Sequence, residues 1–148
     1  MEGRRFGLGV FVCIFNSKFS KTLLLKRNEE KRKKFNSDWG NIGGRIEFGE
    51  KSIQACIREA KEEIGITLDI EKLKLIEIKE IPEYFHGVHA VQFIYATTMD
   101  EKEKITINNE SDSYKWFDLD KLPDRTIDSK DELLKMASLA KAAFRKTR

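Results

Sequence analysis

Glu59, Glu62 and Glu63 stand at i, i+3 and i+4 of one stretch of the chain. On a helix that spacing gathers three carboxylates onto a single patch. Like charges so close repel, and a cluster of hard oxygen donors suits Mg²⁺ or Mn²⁺ better than a softer ion. The bland alternative is a solvated acidic face answered by Lys51, Arg58 and Lys61. The surroundings weigh against it. Gly44, Glu50, Arg58 and Gly65 keep register around the glutamates in GRIEFGEKSIQACIREAKEEIGI, Gly44 to Ile66, and a plain acidic face requires none of them.

The elements that must carry this patch can be read from periodicity. Ile53, Cys56, Ile57, Ala60 and Ile64 recur at helical spacing, so a helix over Ser52 to Ile64 faces a core with the carboxylates to one side, and Gly65 stops it. Alternating Phe6, Leu8, Val10, Val12 and Ile14 predict a first strand over Arg5 to Phe15, a better reading of this start than a signal peptide. KTLLLK (Lys21 to Lys26) is a second strand, ending at Arg27. Asn28 to Ser37 has no apolar period and is expected to be a mobile loop, placed to act as a lid. Leu73 to Ile81 and His89 to Thr98 should form a hairpin around a turn-like Pro82 to Gly87. Lys102 to Ser113 reads as loop and Tyr114 to Phe117 as a short strand, before a last helix capped by Asp128 or Ser129 and running to about Phe144. Strands interleaved with two main helices predict a mixed sheet between helices, an α/β fold.

Composition bounds the rest. The chain has 148 residues, 40% hydrophobic and 36% charged, with a net charge of +3; this is one domain by size, and no apolar run reaches the length of a membrane span. Cys13 and Cys56 read as buried thiols, which makes a cytoplasmic location the default. Basic residues cluster at Lys31-Arg32-Lys33-Lys34 and at Lys141, Arg145, Lys146 and Arg148; such runs attract polyanions or simply stay solvated.

Written as Gly44, five residues, Glu50, seven residues, then Arg58-Glu59-Ala60-Lys61-Glu62-Glu63-Ile64-Gly65-Ile66, the central stretch resembles the Nudix box and is complete at every position the motif fixes by identity. LLLKR before the polar segment, Trp39 leading to Gly43-Gly44, and ESDSYKWFDLDKLP from Glu110 to Pro123 extend the likeness more weakly. The resemblance implies a single domain over residues 1–148 with the α/β/α sandwich of the Nudix hydrolases, and Mg²⁺-dependent hydrolysis of a nucleoside diphosphate linked to a group X, with Mn²⁺ able to substitute.

By that resemblance Glu59 and Glu63 ligate the metal, Glu62 helps hold it or its waters, the Gly43 carbonyl adds an oxygen, and Glu59 is the first choice of base. Glu50 supports the cluster, as does Gly44, and Arg58 makes a structural ion pair. Glu110 is the expected acid from outside the box, as metal ligand or water-orienting group, since a second metal would need an oxygen from elsewhere; Asp112 is its rival. Arg27 and Arg45 are candidates for phosphate contact because guanidinium matches phosphate oxygens. Where many family members have Pro before the double glycine, this chain has Ile42 preceded by Asn41, a departure that bears on substrate recognition and makes Asn41 a third substrate-binding candidate. Trp39, Tyr84, Phe85 and Phe93 could stack on a base or belong to the core. The expected partner is a small nucleotide, most simply a nucleoside triphosphate cut to monophosphate and pyrophosphate. ADP-ribose, other nucleotide sugars and dinucleoside polyphosphates are alternatives, with Pro82 and Tyr84 as opposing marks. Capped or triphosphorylated RNA is a minor possibility, a non-catalytic nucleotide-binding or RNA-binding module is the other class, and monomer and homodimer both stay open.

Overall fold

A computed structural model describes residues 3–146, so Arg148 of the C-terminal basic cluster lies outside the described residues. The elements run β1 (Arg5–Phe15), β2 (Lys21–Arg27), α1 (Glu29–Phe35), β3 (Trp39–Gly40), β4 (Ile42–Arg45), α2 (Ser52–Ile64), β5 (Lys74–Phe85), β6 (Val88–Thr98), β7 (Ser111–Asp118) and α3 (Lys130–Arg145). One seven-stranded sheet has the order β3-β2-β1-β6-β5, with β4 added to β1 and β7 added to β2. The sheet is mixed, because β1 runs parallel to β6 over their full length while the other pairings are antiparallel.

Two cores cover its faces. Val10, Val12 and Ile14 of β1 and Leu23 and Leu25 of β2 point to one side, where Ala55, Cys56, Ala60 and Ile64 of α2 meet them. Cys13, Phe15, Leu24, Ile94 and Phe117 point to the other, against Leu133, Met136, Ala137 and Ala140 of α3. The strand period of two and the helix period of 3.6 are both satisfied. Each fully buried side chain of the size of Ile64 or Met136 contributes about 1.5–3 kcal/mol. Both cysteines are buried and unbonded, and burial pushes the Cys56 thiol up to about 12. Among the described residues no helix is long and apolar enough to cross a membrane.

Three sequence expectations are corrected. Asn28 to Ser37 is not a loop: Asn28 caps α1 by accepting from the Lys31 N–H at 2.9 Å, glutamates fill its first turn and basic residues its last, and Asn36 ends it in a left-handed conformation. None of its residues is buried, so the helix is built by capping and charge placement and leaves no apolar period to read. Pro82 to Phe85 continue β5 rather than turn; β5 is an edge strand, where a proline costs no ladder hydrogen bond. Finally, β7 begins at Ser111, ahead of the expected Tyr114.

The feature that makes room for a site is a fork. Strands β1 and β2 have a single paired position, Phe15 opposite Thr22. Beyond it β2 takes β3 as partner through Leu25–Gly40 and Lys26–Trp39, while β1 takes β4 from Val12–Ile42 to Gly9–Arg45. Asn41 is the residue at which the chain crosses from one arm to the other.

Candidate active site

The fork holds a cleft of about 80 Å³ lined by Phe11, Leu25, Arg27, Lys31, Asn41, Gly43, Glu63 and Glu110, with Gly40 and Ser111 completing the lining. Pockets that enclose a whole drug-sized ligand run to roughly 300–1,000 Å³. A ligand of that size would fit here only in part, with the rest outside the mouth.

Helix α2 supplies the acidic wall. It starts where the Lys51 N–H meets the Gln54 side chain at 2.9 Å and ends at Gly65, whose φ of 71° is the left-handed stop glycine favours. Ile64 and Ala60 pin it to the sheet, and that packing holds Glu59 and Glu63 out of water. Glu63 accepts the Gly43 N–H at 3.1 Å. Burial, with Glu59 and Glu110 adding like charge, pushes its carboxyl up to about 8. Burial also raises Glu59, against the pull of Arg58. A β-carbon on Gly44 would collide with the Glu59 carboxylate, so the double glycine is what lets strand and helix close around it.

Behind this wall Arg58 is saturated. It grips Glu50 through two nitrogens at 2.8 and 3.0 Å, reaches Glu59 at 2.8 Å, and donates to the Arg45 carbonyl at 2.8 Å. Arg58 holds the Glu50 carboxyl below its ordinary range, and Glu50 in turn accepts the Glu47 N–H. The resemblance gave Glu50 a supporting place and Arg58 an ion pair without naming its partner; here the two are bonded to each other.

The facing wall is basic. Arg27, at the end of β2, has its Nη1 buried with no hydrogen-bond partner among the described residues, and burial lowers its affinity for its proton. Its guanidinium lies 4.8 Å from the Phe35 ring of α1. Both polar atoms of the Asn41 amide are likewise buried and unpartnered. Buried polar atoms without partners are rare, and here three of them belong to two residues of one small cleft. Glu110 lines the same cleft and pairs with Lys31 at 3.5 Å, while its rival Asp112 is turned to Arg32 at 2.6 Å.

Three candidates lie outside the lining. Glu59 is buried and held by Arg58 at 2.8 Å, Glu62 is 54% exposed, 3.4 Å from Arg58, and the Arg45 side chain is exposed. Trp39 and Phe93 pack into the cores, Trp39 edge-on to Phe117, whereas Tyr84 and Phe85 are exposed, with Phe85 against Phe35 of α1. Lys31 is the lining residue that sequence reading left inside a basic run; its signal was the asparagine three places earlier, which caps a helix and so fixes the direction of each side chain after it.

Among the described residues no three acidic, histidine or cysteine side chains are gathered closely enough to hold a metal ion as they stand. Glu59 is turned to Arg58 and Glu63 to the Gly43 N–H. The donor set still fits a hard divalent cation in kind: it is all oxygen, it is buried, and the carboxylates resist ionising together without added positive charge.

Residues 5–136 match the NUDIX domain family. Over 85 residues the chain is 32% identical to an oxidized purine nucleoside triphosphate hydrolase of Danio rerio, covering 57% of this chain and 52% of that protein. Over 113 residues it is 32% identical to the m7GpppN-mRNA hydrolase of Saccharomyces cerevisiae, covering 74% of this chain and 10% of that one. The match thus spans about half of the first relative and a tenth of the second. A MutT NUDIX hydrolase from Burkholderia pseudomallei shares the fold, with a TM-score of 0.71 at 22% identity over 90% of this chain and 98% of that structure. A box intact at every fixed position, set on this sheet and facing this cleft, agrees with the family match over most of its length: the chain belongs to the NUDIX domain family.

Proposed function

We propose that the protein hydrolyses a nucleoside diphosphate linked to X with Mg²⁺ bound, Mn²⁺ substituting, and that its substrate is a nucleoside triphosphate released as monophosphate and pyrophosphate. The observation that carries this reading is the opposition of buried Glu63, with Glu59 beside it on α2, to the Arg27 Nη1, which has no hydrogen-bond partner among the described residues. One side suits cations and the other suits a phosphate oxygen.

Glu59 and Glu63 would hold the metal, with Glu62 at the solvent edge, the Gly43 backbone carbonyl and Glu110 completing the oxygen set. When bound, the cation supplies positive charge for the phosphoryl oxygens and acidifies a water. The chain's own residues do the rest. Glu59 takes the proton of the attacking water, Glu62 and Glu110 orient it, and Arg27 donates to a phosphate oxygen while charge gathers there. Asn41 offers the substrate one donor and one acceptor from its amide, and Arg45 meets whatever extends past the mouth. Tyr84 and Phe85 give a base an apolar surface outside the cleft. Unbonded thiols support a reducing, cytoplasmic setting.

The Danio relative acts on nucleoside triphosphates by its name, which favours that class over ADP-ribose. A second reading, cleavage at a capped or triphosphorylated RNA end, is supported by the yeast relative and by basic α1 at the cleft edge. The test is a panel of nucleoside triphosphates, ADP-ribose, dinucleoside polyphosphates and capped RNA with Mg²⁺ or EDTA, followed by phosphorus NMR. Monophosphate and pyrophosphate, formed only with metal, are expected. Diphosphate and orthophosphate appearing first would refute the position of cleavage, and no metal-dependent turnover of any member would leave a binding module.

A further inference from the structure

The basic run on α1 divides by direction. Lys33 pairs with Glu29 at 3.0 Å on the exposed side. Arg32 turns to Asp112 and to the Arg27 carbonyl, and Lys34 lies 5.3 Å from the Phe35 ring. Lys31 is the member that lines the cleft, beside Arg27, Asn41, Glu63 and Glu110.

Its Nζ sits 3.5 Å from Glu110 Oε2, with the two side chains 37% and 47% exposed. A charge-assisted hydrogen bond between ammonium and carboxylate closes to about 2.7–2.9 Å, so this pair is long and solvated, and pairs of that kind hold weakly. Their backbones are fixed much more firmly. The Asn28 N–H donates to the Glu110 carbonyl at 3.0 Å and the Asn28 amide to the Asn109 carbonyl at 3.1 Å, while Arg32 grips Asp112 at 2.6 Å. Helix α1 and the segment carrying Glu110 are therefore clamped together, and the flexible parts are the two side chains in the cleft. A phosphate oxygen arriving beside Arg27 would offer the Lys31 ammonium a partner of higher charge density within the reach of its four-carbon stem.

We infer that Lys31 is a phosphate-binding residue that exchanges partners: it holds the Glu110 carboxylate while no phosphate is in the cleft and passes to the substrate's phosphate when one enters, releasing Glu110 toward the reacting centre. The inference rests on the phosphoanhydride reading above and adds a second cation to Arg27. It also gives α1 a task, since the helix sets the distance between lysine and glutamate.

Calorimetric titration of inorganic tripolyphosphate in EDTA at low ionic strength reads the contact without turnover. Wild type, Lys31→Met, Lys31→Arg and Lys33→Met are compared, with circular dichroism confirming that each is folded. Lys31→Met is expected to weaken binding about tenfold, the loss of one charged hydrogen bond; Lys31→Arg should restore it and Lys33→Met should match wild type. In turnover, Lys31→Met should raise KM for the triphosphate by about the same factor with kcat little changed. A wild type that does not bind tripolyphosphate, a Lys31→Met affinity equal to wild type, an equal loss in Lys33→Met, or a fall in kcat at constant KM would each overturn the assignment, even in a protein that hydrolyses nucleotides. Loss of tripolyphosphate affinity confined to Lys31→Met, in a protein that turns over no nucleotide, would uphold Lys31 as the phosphate contact and remove only the hydrolase reading.

Discussion

Arg58 on the box helix and Arg27 at the end of β2 are the same side chain put to opposite uses. Arg58 is surrounded by Glu47, Glu50, Glu59 and Glu62, and its Nη2, which also holds Glu50, donates to the Arg45 carbonyl. Its charge is spent on the protein itself, and its carboxylate partners hold its proton more tightly than usual. Arg27 has a buried nitrogen with no hydrogen-bond partner among the described residues and, through burial, a weaker hold on its proton. A satisfied guanidinium stabilises the fold and is closed to ligand, whereas an unsatisfied one costs stability and is open to an anion. Within one site, completeness of pairing separates scaffold from working surface better than residue type does.

The largest effect expected lies on the acidic wall. Glu63→Gln keeps an acceptor for the Gly43 N–H and so should fold, yet lower turnover by at least about a hundredfold, as loss of a metal ligand removes charge stabilisation. Steady-state rates with Mg²⁺, and their abolition in EDTA for the wild type, check this. Full activity in either case would break the assignment of that wall to a metal.

The two arginines should then separate by assay. Arg27→Met should lower kcat/KM about tenfold to a hundredfold by removing a phosphate contact, with the melting temperature unchanged or slightly raised. Arg58→Met should do the reverse at first sight, costing about 2 kcal/mol in urea unfolding for the charged hydrogen bonds to Glu50 and Glu59. Its rate should fall only as far as Glu59 loses its orientation. A large stability loss in Arg27→Met would erase the contrast.

How much of this was legible beforehand differs by element for physical reasons. Helix α2 and its cap at Gly65 could be read to the residue because an apolar stripe, a glycine stop and a charge cluster all agree there. Helix α1 could not, since it buries nothing and is held by Asn28, Arg32 and Phe35 to Asn109, Asp112 and Phe85, all far away in sequence. A structural ion pair for Arg58 followed from likeness to the box, but its Glu50 partner came from the structure, and the separation of Glu110 from Asp112 needed the start of β7 and its register against β2, which local pattern does not specify. Similarly, Arg27 and Asn41 could be named as candidates from the string, but their missing partners become visible only when the fork brings them together.

That separation of the two acids gives a sharper, smaller prediction. Glu110→Gln should cut turnover about tenfold with little change in melting temperature, while Asp112→Asn should do much less to the rate and more to the anchoring of α1, read by hydrogen exchange over Glu29–Phe35. Equal, near-wild-type rates would return Glu110 to the role of a solvated loop acid.

The smallest effect concerns acid stability. Arg58 depresses the folded pKa of Glu50 below its ordinary 4.5, so the pair's contribution is fully present above that value and is lost as pH falls through the lower, folded pKa. Melting temperature measured from pH 6 downward should therefore fall less steeply in Glu50→Gln than in wild type, the difference appearing below about pH 4.5. Parallel curves would remove Glu50 from the scaffold side of the comparison.

The single rung between β1 and β2 has a mechanical consequence. A pair of levers hinged at Phe15 and Thr22 carries the carboxylates on one arm, through β4 and α2, and Arg27 with Glu110 on the other, through β3, β7 and α1. On the proposed reading, a polyphosphate gripped at both ends would be a tie-rod across the jaws, putting the hinge under load. Stiffness gained on binding should concentrate far from the ligand, in the amides at the vertex, where slower hydrogen exchange would register the strain.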